Sequence, residues 1–429
     1  HWPTTTITVA FSTSLSAPPA NIKPGSDVVG AARRALKHWS DISNIRFIET
    51  SSNAQSISPG TGGDGISLIT VADTPENRAV FGGERTGRTR VFYDPANGNI
   101  TEADVAISPL LQFATDGASG YYDLESTFTH ELGHLLGLDH SGIVGATMQP
   151  RQGKNGLYNL PAFSARTLAE DDIAAVHLLY GPRANTGTIS GTITSGGSPV
   201  YGAHVWAEEV SSGRVVAGNV SLANGSYRIE SLPPGQYRVN AEYLDGPVVA
   251  AEIASTVGAY SGIGNTAPFR TTEAPGSVVV SSSATTTLNV NVNAGGPTIN
   301  PRLFGINGML STISTPLVPN RTYTFYLGGP GLTSAQVPTT GISITSPYFT
   351  VNQGSVAYST FTDENGNPLP VITFDATTSP SAPAFDYSIR IQGTDNVGQV
   401  EVAYVCGGLT IDPLSNGFAS PNPIDDAQF

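Results

Sequence analysis

The sequence predicts an α+β domain followed by two all-β sandwich domains, and three observations carry that reading. At 429 residues the chain is too long for one ordinary hydrophobic core. Its patterning changes near residue 184: helical and strand periods mix before that point, and only short alternating runs follow it. The 48 glycines and 31 prolines are the turn residues that a β-rich chain needs.

In chain order, "TTITVAF" (5–11) alternates as a strand. "DVVGAARRALKHWSDI" (27–42) spaces Val28, Ala32, Ala35, Leu36, Trp39 and Ile42 on one helical face, with Asp27 placed as N-cap. "DGISLITVA", "TRVFYDP" and "ADVAIS" read as three further strands. "YDLESTFTHELGHLLG" is a second helix, ended by Gly137. "TLAEDDIAAVHLLYG" is a third, with acids in its first turn and Gly181 and Pro182 closing it. The domain is expected to span 1–183. Alternating runs such as "GAHVWAEEV" and "QYRVNAEY" place one sandwich at 186–296, and "YTFYLGG", "FDYSIRIQG" and "QVEVAYVCGG" a second at 299–413. Residues 414–429 read as a linker or chain end.

A net charge of −14 argues against nucleic acid or an anionic membrane surface as partner. Nothing resembles a stretch of about 18 uncharged apolar residues, so membrane insertion is not expected. Cys406 is the single cysteine, which rules out an intrachain disulfide and suggests a small buried apolar side chain. All three lysines (Lys23, Lys37, Lys154) precede residue 184, and the Ser/Thr-rich remainder has a composition met in extracellular β modules.

The chemistry concentrates in "HELGHLLGLDHSGIVGATMQP" (130–150), which holds three of the seven histidines and one of the two methionines. His130 and His134 are four apart, so on a helix both imidazoles leave one face about a turn apart. Gly137 lets the chain turn, and His140 returns as a third nitrogen. Three neutral imidazoles with an open fourth position are the ligand set of a catalytic zinc. Glu131 stands beside them, able to reach a water without binding the ion. The competing reading, an amphipathic helix with incidental histidines, accounts for Leu132, Leu135, Leu136 and Leu138 but not for the eleven-residue spacing.

That spacing, His-Glu-x-x-His-x-x-Gly-x-x-His with a methionine turn behind it, resembles the metzincin zinc peptidases, and most closely the matrixins. Ser141 after the third histidine, "ATMQP" with Met148 and Pro150, the closing helix at 171–181 and the first helix and strand at 28–49 extend the resemblance over residues 2–181. It implies one catalytic Zn²⁺ on His130, His134 and His140, Glu131 as general base, and Met148 as an apolar floor. It also implies substrate binding along the edge strand at Thr89, Arg90, Val91 and Phe92 and beside Pro150. Arg151 and Gln152 depart from the usual matrixin wall, so side-chain preference does not transfer. Ca²⁺ is a second ion allowed by the resemblance, with Asp73, Asp94, Asp104 and Asp116 in loops or at strand ends, though no acid spacing makes a site readable. Asp171 or Asp172 is expected to meet the α-amine of His1. His38 and His177 are expected to pack rather than ligate.

Residues 187–243 resemble carboxypeptidase-regulatory-like sandwiches, and the last module resembles bacterial immunoglobulin-like domains. Both read as spacers, with contact to a surface or matrix as the alternative role. The expected protein is a secreted, extracellular, monomeric zinc endopeptidase acting on protein or peptide substrates. The alternative is an adhesin or surface-binding protein with a vestigial peptidase domain; the presence of Glu131 argues against it.

Overall fold

A computed structural model describes residues 1–83, 85–159, 166–255 and 258–411. The tail expected at 414–429 lies outside them.

The N-terminal part is built on a five-stranded sheet. Its strands are β1 (Thr6–Ser12), β2 (Arg46–Ser52), β3 (Leu68–Thr70), β4 (Gly87–Tyr93) and β5 (Ile100–Ile107), in the order β2-β1-β3-β5-β4. Four strands run parallel; β4, at the edge, is antiparallel to β5. Helix α1 (Val28–Asp41) begins at Asp27, whose carboxylate accepts the Gly30 N–H at 3.0 Å. A short helix α2 (Pro75–Ala79) follows β3. Helix α3 (Leu124–Leu135) packs on the sheet beside α1, and α4 (Glu170–Tyr180) closes the domain. Trp39 of α1 is completely buried, and its indole N–H donates to the Thr129 carbonyl of α3 at 2.9 Å. It sits in one core with Ile7, Val9, Val105, Phe128, Leu132 and Met148.

The strand expected over "DGISLITVA" is shorter than its pattern. Asp64 and Gly65 belong to the preceding loop, where the Gly65 N–H is taken by the Glu102 carboxylate of β5, so only Leu68–Thr70 enters the sheet.

The second module has two facing sheets, one on His204–Glu209 and Gly235–Glu242, the other on Gly187–Ser195 and Ser226–Leu232. The third is a sandwich of two four-stranded sheets. One holds Leu303–Ile306, Thr322–Gly328, Pro368–Thr378 and Phe349–Thr362. The other holds Thr315–Leu317, Val400–Ile411, Asp386–Thr394 and Ile342–Ile344. Strand alternation, buried and exposed in turn, is clear in Thr322–Gly328.

The three parts are packed together. Ile143 and Ala146 of the first share a buried cluster with Trp206 and Val215 of the second and Tyr404 and Cys406 of the third. The second module also sends out a long excursion after Glu242, containing helix α5 (Ala250–Ile253), which returns to the N-terminal domain. Among the described residues no helix is long and apolar enough to cross a membrane.

Candidate metal centre

Helix α3 starts at Asp123, whose carboxylate accepts the Ser126 N–H at 2.9 Å. The helix ends at Leu135 with Leu136 as its C-cap, and Gly137 (φ +94°) turns the chain so that His140 comes back beside His134. The three rings converge, with centroids 4.8 to 5.3 Å apart. His134 Nε2 and His140 Nε2 are 3.2 Å apart. Two nitrogens on one tetrahedral zinc, each at about 2.05 Å, would be roughly 3.3 Å apart, so the spacing fits a single ion.

Each imidazole is turned the same way by a main-chain carbonyl. His130 Nδ1 donates to Thr147 at 2.7 Å and His134 Nδ1 to Leu138 at 2.8 Å. His140 Nδ1 donates to Glu252 of α5 at 2.7 Å. With every Nδ1 carrying the proton, every Nε2 presents its lone pair to the centre. Burial lowers the pKa of all three, that of His140 to about 4 with help from the neighbouring His130, which favours the neutral, ligating form.

Glu131 is buried (4% exposed) next to the cluster. Thr89 of β4 donates its hydroxyl to Glu131, with Oγ1 2.6 Å from Oε2 and 2.9 Å from the main-chain oxygen. Burial pushes the Glu131 carboxyl up to about 7. Thr89 therefore faces Glu131, a contact that its expected place on a substrate-binding strand did not reveal. Arg90 reaches the Ser58 carbonyl, while Val91 and Phe92 continue the sheet edge.

Met148 is buried, 2% exposed, in the core with Trp39, Phe128 and Leu132. A Cβ on Gly133 would stand 2.2 Å from its Sδ and 3.0 Å from Trp39, so only glycine leaves room between helix and turn. Gly133→Ala is expected to destabilise the domain by about 1–3 kcal/mol through overpacking, despite the roughly 1 kcal/mol gain in helix propensity. It should also weaken metal retention. Thermal unfolding with metal dialysis checks this, and a variant as stable as the parent would refute it.

The turn is clamped from α4. Asp172 accepts the Thr147, Met148 and Ala169 N–H groups at 2.8, 3.0 and 2.9 Å, and Asp171 accepts the Ser141 hydroxyl at 2.6 Å and the Gly218 N–H at 2.8 Å. The expected pairing of these acids with the His1 amine is thus replaced. His1 instead sits edge-on against Tyr180, its carbonyl accepting the Ile100 N–H at 2.9 Å. His38 packs against Glu125 at 3.2 Å, and His177 donates to Gly181 at 2.9 Å. Of the acids named for calcium, Asp73 pairs with Arg78 and Asp116 with Lys23. Asp94 accepts the Ala96 N–H at 2.9 Å, and Asp104 those of Ser58 and Leu68 at 2.7 and 2.9 Å.

Beside His130 opens a pocket of about 90 Å³ lined by Val144, Pro150, Leu157 and Tyr158, and also by Ile313 and Pro316 of the third module. Arg151 pairs with Glu252 of α5 at 2.6 Å. Nothing in the motif pointed to Glu252, Ile313 or Pro316, which lie more than a hundred residues away.

A mixed sheet with one antiparallel edge, and a helix that presents two histidines and a glutamate above a methionine turn, define a metzincin-type α+β domain. Comparison makes this particular: the matrixin family matches residues 1–181, and the carboxypeptidase regulatory-like family residues 188–293. The N-terminal part is a matrixin domain, and the β-rich remainder begins with a carboxypeptidase regulatory-like domain. Metalloendoproteinase 1-MMP of Arabidopsis thaliana is 30% identical over 187 residues, 42% of this chain and 44% of that protein. Interstitial collagenase of Oryctolagus cuniculus is 29% identical over 160 residues, 37% of this chain and 30% of that one. The chain thus spans less than half the length of these relatives. Among solved structures, the major pilin subunit BcpA of Bacillus cereus aligns with 51% of this chain and 67% of its own at 14% identity, with a TM-score of 0.16.

Proposed function

We propose that the protein is a secreted zinc-dependent endopeptidase that hydrolyses peptide bonds of proteins. The observation that carries this reading is the convergence of three Nε2 atoms, each oriented by a carbonyl on its Nδ1, beside a buried glutamate. The named activities of the metalloendoproteinase relatives support it.

His130, His134 and His140 would hold the zinc, which when bound supplies Lewis acidity toward a water and a scissile carbonyl. Glu131 is placed to take the water's proton and return it to the leaving amine. A carboxyl titrating near 7 suits a group that must do both. Thr89 holds the Glu131 Oε2 oxygen through its hydroxyl at 2.6 Å. The unpaired side of β4 offers main-chain groups to an extended substrate. The pocket beside His130 would receive the side chain after the cut. Assignment outside the cell rests on the matrixin relatives and on the composition of the β modules.

The purified chain should carry about one zinc and cleave a denatured protein such as casein. A chelator should remove both properties, and added zinc should restore both. A zinc-loaded protein that cuts nothing in a diverse peptide library would overturn the reading.

A further inference from the structure

The pocket beside His130 is not a property of the matrixin domain alone. Ile313 and Pro316 of the third module line it together with Val144 and Leu157. Its floor residue, Tyr158, is 1% exposed and belongs to the same apolar core as Phe304 and Leu317 of that module. The Tyr158 hydroxyl donates to the Ile313 carbonyl at 2.7 Å, and the Asn307 side-chain amide donates to the Tyr158 carbonyl at 2.6 Å. Gln149, next to the methionine turn, donates to the Thr312 carbonyl at 3.3 Å. Tyr158 also holds a left-handed backbone, φ 60° and ψ 16°. A bulky residue stays there only where its surroundings over-determine it, and here those surroundings come from the third module.

We propose that the third β-sandwich is a specificity element of this site: it walls the pocket with Ile313 and Pro316 and holds the Tyr158 loop in place, so that a module outside the N-terminal domain sets which side chains the pocket admits. This rests on the peptidase reading above. Lys154, at the pocket's edge, places its ammonium over the Tyr122 ring, 5.4 Å from the centroid. Arg151 is tied to Glu252. Val144, Leu157, Tyr158, Ile313 and Pro316 make the apolar part of the lining, beside polar Gln149, Gln152 and Asn155.

The test is a set of quenched peptides differing only in the residue after the cut, assayed with the full chain and with Ile313→Arg and Ile313→Ala. The parent should favour leucine or phenylalanine over glutamate. Ile313→Arg should shift the ratio of kcat/KM values toward glutamate by about tenfold or more, and Ile313→Ala toward the larger apolar side chains. A purely structural role for the module would lower all peptides together and leave the ratios unmoved, and that result overturns the proposal. Zinc content and thermal unfolding identify a variant that fails to fold; Ile313→Ala, the milder change, then decides. If the parent itself cleaves no peptide while holding zinc, the peptidase reading fails and takes this role with it.

Discussion

Glu131→Gln is expected to keep zinc bound and to lower kcat/KM for a peptide by about 10²- to 10⁴-fold, the range a positioned general base supplies. That loss corresponds to about 3–5 kcal/mol of transition-state stabilisation. Glutamine is close to isosteric, and its amide oxygen can still accept from Thr89, so the buried side chain should keep its place. What it lacks is an oxygen able to hold a proton near neutral pH. Paired measurement of zinc content and steady-state kinetics separates the outcomes. Equal zinc with unchanged turnover would remove Glu131 from the chemistry. Loss of zinc would mean that the carboxylate organises the three rings rather than acting on a proton.

Arg166→Ala is expected to destabilise the N-terminal domain by about 3–5 kcal/mol, as when one partner of a buried ion pair is removed. The Arg166 guanidinium is 1% exposed and meets Asp123 through two parallel bonds, Nε to Oδ1 at 2.9 Å and Nη2 to Oδ2 at 2.6 Å. It also donates to the Thr115 carbonyl at 2.8 Å and stands 3.8 Å from Glu125. Asp123 caps α3, the helix that carries His130 and His134, so the loss would loosen the start of α3 as well. Burial works to raise the Glu125 carboxyl, but His38, Arg166 and Arg34 outweigh it and hold its pKa below the usual value. Its contribution is therefore present above the unfolded-state value of about 4.3 and is lost as pH falls through the lower folded value. Urea unfolding at neutral pH measures the effect. A control, Arg33→Ala, removes the exposed pair with Glu49 and should cost under about 1 kcal/mol. Equal losses in the two variants would contradict the account.

The local grammar of this chain was readable. Helix α1 announces itself by its apolar period and its Asp27 cap, and the ligand cluster is written within eleven consecutive residues because a helix and one glycine turn are enough to close it. Two all-β sandwiches were equally visible in the alternating runs. Contacts that depend on where modules dock were not. Glu252 meets His140 through a main-chain carbonyl, which no side-chain pattern encodes. Asp172 reads as a first-turn acid of α4, yet its neighbour in space is the methionine turn, whose amides take the carboxylate expected for the N-terminal amine. Ile313 and Pro316 look like ordinary turn and strand residues until the sandwich is set against the pocket. Thr89 was placed on the right strand, but its hydroxyl points to Glu131 because the β4 edge runs directly over the helix.

Ile143 and Ala146, between the third histidine and Met148, share their buried cluster with Trp206, Val215, Tyr404 and Cys406. The loop from His140 to Met148 is thus a keystone between three parts of the chain. Replacing either sandwich by an unrelated one would expose Ile143, withdraw partners from Tyr158 or His140, and disturb the three-histidine cluster from behind. The three parts are coupled through one loop and are not independent of one another.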